Sequence, residues 1–155
     1  MDDIDRRLID ALRANARATY AELARMVGLS APAVHERVAK LEASGVITGY
    51  HAGVTPSALG LGVSALVGIQ QSERGDRGRI ADALEATPEI EDCWFVAGDE
   101  TFVVKVRVPD VAALEQVIAA LSQIRGVART RTTVVLSTRF EGRVRTACDP
   151  PPATR

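Results

Sequence analysis

The chain has 155 residues, a formal net charge of −1 at pH 7 and only 4% aromatic residues. This length allows one domain or two small ones, and the balanced charge excludes a protein that attracts nucleic acid through a strong overall positive field. No run of 18 apolar residues and no secretion signal is present, so we expect a cytoplasmic protein without membrane contact.

The first predicted helix runs from about Asp3 to Asn15. Its apolar residues recur at helical spacing and are Ile4, Leu8, Ile9 and Leu12. The aspartates at its start suit the positive end of the helix dipole. We expect this helix to pack against the next two helices and complete a three-helix unit.

Residues 19 to 44 have the signals of two short helices joined by a tight turn. Thr19 and Glu22 have the spacing of a capping box, which begins a helix. Gly28 is suited to end that helix, and Ser30 is a good N-cap for the next. A short glycine-containing turn between two helices is typical of the helix-turn-helix, whose second helix enters the major groove of DNA.

The second helix of this pair is predicted to turn one face inward and the other toward DNA. Val34, Val38 and Leu41 form the inward stripe. The candidate DNA-binding residues are Ser30, Ala31, Pro32, Ala33, His35, Glu36, Arg37 and Lys40. An ordinary αα-hairpin in a helical core has the same spacing. Residues 1 to 52 carry seven acidic and seven basic side chains, so DNA binding would depend on local placement of charge.

The sequence leaves more than one role open for individual residues of this helix in DNA binding. The backbone of Ser30 could reach a phosphate. Arg37 could contact phosphate or tie the helix to the core. Glu36 would have to accept from a cytosine amino group or stay clear of DNA. Arg17 and Arg25 are secondary phosphate candidates, and a solvated face explains them equally well.

The chain changes character after the third helix. Val46 to Ala52 is predicted as a short strand, and Thr55 to Gly60 as a turn with one helical turn. The expected division is a helix-turn-helix domain at 1–49, a linker strand and hinge at 50–61, an effector-binding and oligomerisation domain at 62–140, and a tail at 141–155 whose end is disordered.

The second half is predicted to have the element order β-α-β-β-α-β. The expected strands are 63–70, 90–97, 101–108 and 127–137, and the expected helices are 79–86 and the segment between Asp110 and Gly126. This order is that of the ferredoxin-like fold, an antiparallel four-stranded sheet with both helices on one face. The fold class is therefore α+β.

The face of this sheet that no helix covers is predicted to be apolar. Alternation along the strands assigns to it Leu66, Cys93, Phe95 and Val103. An apolar patch of this kind is too large to leave in water. We therefore predict that two chains pack sheet against sheet as a two-fold dimer, which would place two DNA-binding halves about one helical turn apart.

Motifs along most of the chain resemble one family. They are Asp2-Asp3-Ile4-Asp5-Arg6-Arg7-Leu8-Ile9, Glu22-Leu23-Ala24, Val27-Gly28-Leu29-Ser30, Arg37-Val38, Leu41-Glu42, Gly45-Val46-Ile47-Thr48-Gly49-Tyr50, Val96-Ala97-Gly98-Asp99, Val106-Arg107-Val108-Pro109-Asp110 and Gly126-Val127-Ala128-Arg129-Thr130-Arg131-Thr132. Together they resemble the Lrp/AsnC (leucine-responsive, feast/famine) transcriptional regulators, from Met1 to about Ser137.

The resemblance implies properties that spacing did not show. The first half would be a winged helix-turn-helix that binds double-stranded DNA. The second would be a regulation-of-amino-acid-metabolism (RAM) domain that dimerises, assembles dimers into octamers and binds an amino acid or related metabolite between regulatory domains. The expected effector-binding residues are Gly98, Asp99, Glu100 and Thr101. Many members have a second aspartate where this chain has Thr101, which cannot neutralise an ammonium group. A plain hairpin turn is the alternative interpretation.

Other functions find little support in the sequence. No nucleophile–base pair, metal-ligand spacing or phosphate loop is present, so we expect neither an enzyme nor a cofactor. The cysteines, Cys93 and Cys148, are expected to be reduced. Six arginines (125, 129, 131, 139, 143 and 145) could form a DNA-wrapping surface, an interface or a solvated edge. An alternative function is a metabolite-sensing oligomer whose helical half binds protein.

Overall fold

The computed structural model describes residues 1 to 142 and contains two compact units, a helical unit at Met1–Gly53 and a sheet unit at Val54–Glu141. Predictions for Arg143, Arg145, Cys148 and the disordered end fall outside the described residues. In the described part of the chain, every helix is too short or too polar to cross a membrane.

Three helices form the helical unit, as predicted. They are α1 (Asp3–Ala14), α2 (Tyr20–Val27) and α3 (Ala31–Ala43). One apolar stripe from each helix meets in a common core, whose larger buried side chains include Leu8, Leu12, Leu23, Val34 and Val38. This shared burial, more than helix propensity, stabilises helices as short as α2.

Side-chain caps set the helix boundaries. Asp2 and Asp5 form a capping box at the start of α1, and Thr19 and Glu22 form one at the start of α2. The hydroxyl of Ser30 accepts from the backbone N–H of Ala33 at 3.4 Å. These contacts satisfy N–H groups that have no partner within the helix.

Gly28 makes the turn between α2 and α3. It has φ of 75°, a left-handed conformation that L side chains rarely adopt. Its N–H donates to the carbonyl of Ala24 at 2.9 Å and ends α2. Only three residues, 28 to 30, therefore separate the two helices, as the helix-turn-helix interpretation required.

The predicted strand from Val46 to Ala52 is wrong. The N–H groups of Val46 and Ile47 both donate to the carbonyl of Leu41, at 3.0 and 3.1 Å, and close the end of α3. Backbone donors used in this way cannot pair with a neighbouring strand. Residues 1 to 53 therefore contain helices and connecting segments but no strand. The predicted helical turn before the sheet is confirmed as a 3₁₀ turn at Pro56–Leu59.

The sheet unit has the predicted β-α-β-β-α-β order. Its elements are β1 (Val63–Gln71), α4 (Arg77–Glu85), β2 (Ile90–Phe95), β3 (Phe102–Val108), α5 (Val111–Gln123) and β4 (Val127–Val135). The spatial strand order is β2-β3-β1-β4, and all pairs are antiparallel. Helix α4 begins at Arg77, two residues earlier than predicted, because the carboxylate of Asp76 accepts from the N–H groups of Gly78 and Arg79.

Both helices cover the same face of the sheet. The buried side chains of that face alternate along β1 and β3, and they are Ala65, Val67, Ile69, Phe102, Val104, Val106 and Val108. From the helices, Ile80, Leu84, Leu114, Val117 and Leu121 pack against them. We call the opposite face the open face, because neither α4 nor α5 packs on it.

The composition of the open face differs from the prediction at β2. A register shift between Ile90 and Asp92 inserts one extra residue into this strand. One inserted residue reverses the facing of every residue that follows. Cys93 and Phe95 therefore pair with the helix-facing Val104 and Phe102, so their assignment to the open face is wrong. Trp94 takes their place there, opposite Val103. Leu66 lies on the same face, opposite Lys105.

Candidate DNA-binding and effector sites

The exposed side of α3 brings together most of the predicted DNA-binding residues. Ser30, Pro32, His35, Glu36 and Lys40 are exposed. With the half-buried Ala33, they form a continuous surface that we call the recognition face. Ala31 differs from the other predicted residues because its methyl group packs against the helical core.

Arg37 is held by two carboxylates of the first helix. Its Nη1 lies 2.7 Å from Oδ1 of Asp5 and 2.8 Å from Oδ2 of Asp2. Hydrogen bonds to Asp5 and Asp2 raise the pKa of the guanidinium. Two hydrogen bonds lower the pKa of the Asp2 carboxyl. The larger effect comes from the N–H of Asp5 and the smaller from the guanidinium of Arg37. The arginine therefore links the start of α1 to the middle of α3.

Two further contacts organise the recognition face. The Nζ of Lys40 lies 2.7 Å from Oε1 of Glu36, one helical turn earlier, and this contact lowers the pKa of the glutamate. The ring of Tyr20 on α2 meets the imidazole of His35 edge to face, with centroids 4.9 Å apart. The Lys40–Glu36 pair is well exposed, so it contributes little stability and can yield to another anion.

The turn between β2 and β3 contains all four predicted effector-binding residues. The N–H of Thr101 donates to the carbonyl of Ile69 at 2.8 Å, and its hydroxyl accepts from the N–H of Gln71 at 3.1 Å. The threonine thus ties the turn to the end of β1, where the β1–β4 register shifts. Gly98 and Asp99 are exposed at the tip of the turn.

A small cavity of about 10 Å³ lies beside this turn. It is lined by Gly68, Gln70, Asp99, Glu100, Arg129, Thr130 and Arg131. Glu100 forms an ion pair with Arg131. By contrast, Asp99 and Arg129 have no ion pair within residues 1 to 142. The cavity therefore places one free carboxylate and one free guanidinium on the same rim.

Several residues of these sites were missed at the level of sequence. Asp2 and Asp5 were assigned only to the helix dipole, because their contact with Arg37 spans more than 30 positions. Gly68 carried a usable signal, since a glycine inside a strand often marks a close approach. A Cβ at Gly68 would lie 2.6 Å from Cγ of Glu100, so the glycine makes room for that side chain.

Two family models match the chain. The AsnC-type helix-turn-helix domain matches residues 1–42, and the Lrp/AsnC ligand-binding domain matches residues 64–144. These two matches correspond to the helical unit and the sheet unit.

Relatives match over nearly the whole length. The transcriptional regulator LrpA of Mycobacterium tuberculosis is 41% identical over 143 residues, which cover 92% of this chain and 95% of the relative. The structure of Escherichia coli AsnC has a TM-score of 0.86 at 31% identity and covers 93% of this chain and 97% of its own. The feast or famine regulatory protein of M. tuberculosis, complexed with L-methionine, has a TM-score of 0.88 at 41% identity, with the same coverage. The chain belongs to the Lrp/AsnC family of helix-turn-helix transcriptional regulators.

Proposed function

We propose that this protein regulates transcription by inserting α3 into the major groove of double-stranded DNA, and that an amino acid bound by the sheet unit adjusts its DNA affinity. The observation that carries the proposal is the recognition face, where exposed polar side chains follow a rigid three-residue turn. A helix held by its apolar stripe and carrying exposed polar side chains on its other face is what major-groove recognition requires.

The contacts on α3 suggest that some of its residues bind DNA and that others position the helix. Lys40 and His35 are exposed and would contact phosphate or base edges. Glu36 restrains Lys40 until a phosphate replaces it. Arg37 would have to leave two carboxylates to reach DNA, so we assign it the role of positioning α3 against α1.

The rim of the small cavity suits an amino acid. At neutral pH an amino acid carries an ammonium and a carboxylate, which Asp99 and Arg129 complement by charge. Asp99 would neutralise the ammonium in place of the second family aspartate, while Thr101 anchors the turn. A cavity of about 10 Å³ holds only about one water molecule. A second copy of the chain would therefore be needed to enclose the ligand.

The open face supports such a second copy. Leu66 and Trp94 are 39% and 46% exposed. Half-buried Val103 lies opposite Trp94 on the same face. Packing two such faces around a two-fold axis would bury these side chains and pair the DNA-binding helices. We propose this dimer as the basic unit, with octamers as its further assembly.

Fluorescence anisotropy with DNA from upstream of the protein's own gene tests the proposal. At fixed salt, we expect saturable binding that one common amino acid shifts. Lys40→Gln should weaken binding and reduce the magnitude of the logarithmic salt slope by about 1 for each DNA-bound subunit, as expected for loss of one phosphate contact per subunit. Arg37→Gln should leave the slope unchanged, because that guanidinium is already neutralised within the protein.

The effector site needs a separate variant. Asp99→Asn should weaken the amino-acid response about tenfold or more, because the ammonium loses its counter-charge. Asp82→Asn, at an exposed position on α4, is the matched control and should respond like the wild type. Affinity no greater than for random DNA would contradict the DNA-binding role and favour a helical unit that binds protein.

A further inference from the structure

A second cavity of the sheet unit lies where the loop before α4 meets the loop before β4. It measures about 340 Å³ and is lined by Ser72, Arg74, Gly75, Asp76, Arg79, Arg125 and Gly126. It shares no lining residue with the small cavity beside the β2–β3 turn. It is therefore a distinct feature that the proposed DNA and amino-acid sites do not use.

Close backbone contacts build the floor of this cavity. The N–H of Ser72 donates to the carbonyl of Gly126 at 2.8 Å. A Cβ at Gly75 would lie 2.6 Å from the same carbonyl oxygen, and a Cβ at Gly126 would lie 3.0 Å from Cα of Gly75. The side-chain amide of Gln71 donates to the carbonyl of Gly75 and closes the loop from the other side. The two loops are thus fixed to each other, and the cavity is preformed.

The charged residues that line this cavity are three arginines, at positions 74, 79 and 125, and one carboxylate, Asp76. Asp76 is already engaged, because its Oδ1 accepts from the N–H groups of Gly78 and Arg79 and its Oδ2 lies 3.7 Å from Nε of Arg79. Arg74 and Arg125 have no ion pair with any residue in the described range 1–142. Their charges are left uncompensated.

The surrounding unit is acidic overall. Residues 54 to 141 contain twelve carboxylates and nine basic side chains, a formal charge of −3. Elsewhere in the unit, Lys105, Arg107 and Arg131 are neutralised by nearby glutamates. Among the described residues, Arg77, Arg129 and Arg139 also have no ion pair. Arg74 and Arg125 differ from them because they line one cavity together with Arg79, and this concentration of positive charge suits an external anion.

We propose that Arg74, Arg79 and Arg125 form a binding site for a phosphate group. A planar guanidinium offers paired donors that match phosphate oxygens, and several of them around one cavity suit a dianion. The concave shape favours the terminal phosphate of a small molecule, since its oxygens can enter the space together. A phosphodiester of the DNA backbone has the same chemistry and is the other possible source.

Titration with inorganic phosphate tests this site in the full-length protein. We expect saturable stabilisation of the fold, measured as a rise in Tm at constant ionic strength against chloride. In the double variant Arg74→Gln, Arg125→Gln the apparent Kd should rise at least tenfold. Arg139→Gln, which removes an exposed arginine outside the cavity, should bind like the wild type. Circular dichroism checks that each variant is folded.

A parallel DNA titration separates the two sources of phosphate. Loss of phosphate binding with unchanged DNA affinity assigns the site to a soluble phosphorylated ligand. A DNA salt slope whose magnitude falls by about 2 per DNA-bound subunit in the double variant assigns it to the DNA backbone. Wild-type and double-variant proteins that respond alike to both phosphate and DNA would overturn the proposal, even if α3 binds DNA as proposed.

Discussion

The two units of this protein solve the same burial problem differently. Each helix of the helical unit has one apolar stripe, and the three stripes meet in one core. The sheet of the other unit has two faces, and α4 and α5 cover only one of them. The helical unit therefore buries its apolar stripes against one another, whereas the sheet unit keeps Leu66 and Trp94 exposed on its open face.

Ion pairs follow the same division. In the helical unit, Arg37 joins α1 to α3 through Asp2 and Asp5. In the sheet unit, basic groups lie on the open face itself, where the side chains of Lys105 and Arg107 are only 14% and 9% exposed. Partial burial opposes the charged form of Lys105, but hydrogen bonds to Glu141 and Glu91 outweigh it and raise its pKa. In the proposed dimer, these ion pairs would help determine how the two open faces align.

The largest expected effect concerns the self-contained core. Leu23→Ala removes a fully buried side chain of the helical unit and should reduce the free energy of unfolding by about 2–5 kcal/mol. Met26→Ala, on the same helix but 54% exposed, should change it by about 0.5 kcal/mol or less. Urea unfolding followed by circular dichroism measures both. Equal losses would contradict the core assignment.

A smaller effect is expected on self-association. Leu66→Asp places a charge at the centre of the open face and should weaken the dimer by about 2 kcal/mol or more, roughly 30-fold in Kd. The monomer should remain folded, because Leu66 is partly exposed in one chain. Val111→Asp, at the exposed start of α5, is the control. Sedimentation showing equal association in both variants would remove the basis for sheet packing.

The smallest expected effect appears only in alkali. Partial burial, together with a 2.7 Å hydrogen bond to Glu42, raises the pKa of Tyr50 to about 12. A tyrosine in the unfolded chain loses its hydroxyl proton near pH 10. In the folded state, the Tyr50 hydroxyl keeps its proton to a higher pH. The associated stability is complete below about pH 10 and is lost as the pH rises toward 12. Tyrosinate absorbance should show this late phase, and Tyr50→Phe should abolish it without disturbing the dimer.

Local signals predicted the elements well, and long-range geometry explains the errors. The capping residues at Thr19, Ser30 and Asp110 marked helix starts that the structure confirms. The strand predicted at Val46–Ala52 failed because its donors turn back to close α3. The exposed part of the candidate DNA site could be predicted from helical spacing. The ion pairs of Arg37 with Asp2 and Asp5 could not be predicted in this way, because these aspartates lie at the start of another helix.

The sequence by itself determined the three helices, the β-α-β-β-α-β order and the membership in a family of regulators. These depend on spacing, caps and motifs, which are properties of neighbouring residues. Only the tertiary structure decided which side chains from different helices, strands and loops share a surface. One extra residue in β2 placed Trp94 rather than Cys93 and Phe95 on the open face, and folding brought Arg74 and Arg125 to one cavity. Strand register and loop docking depend on contacts between distant segments, which a one-dimensional pattern does not contain.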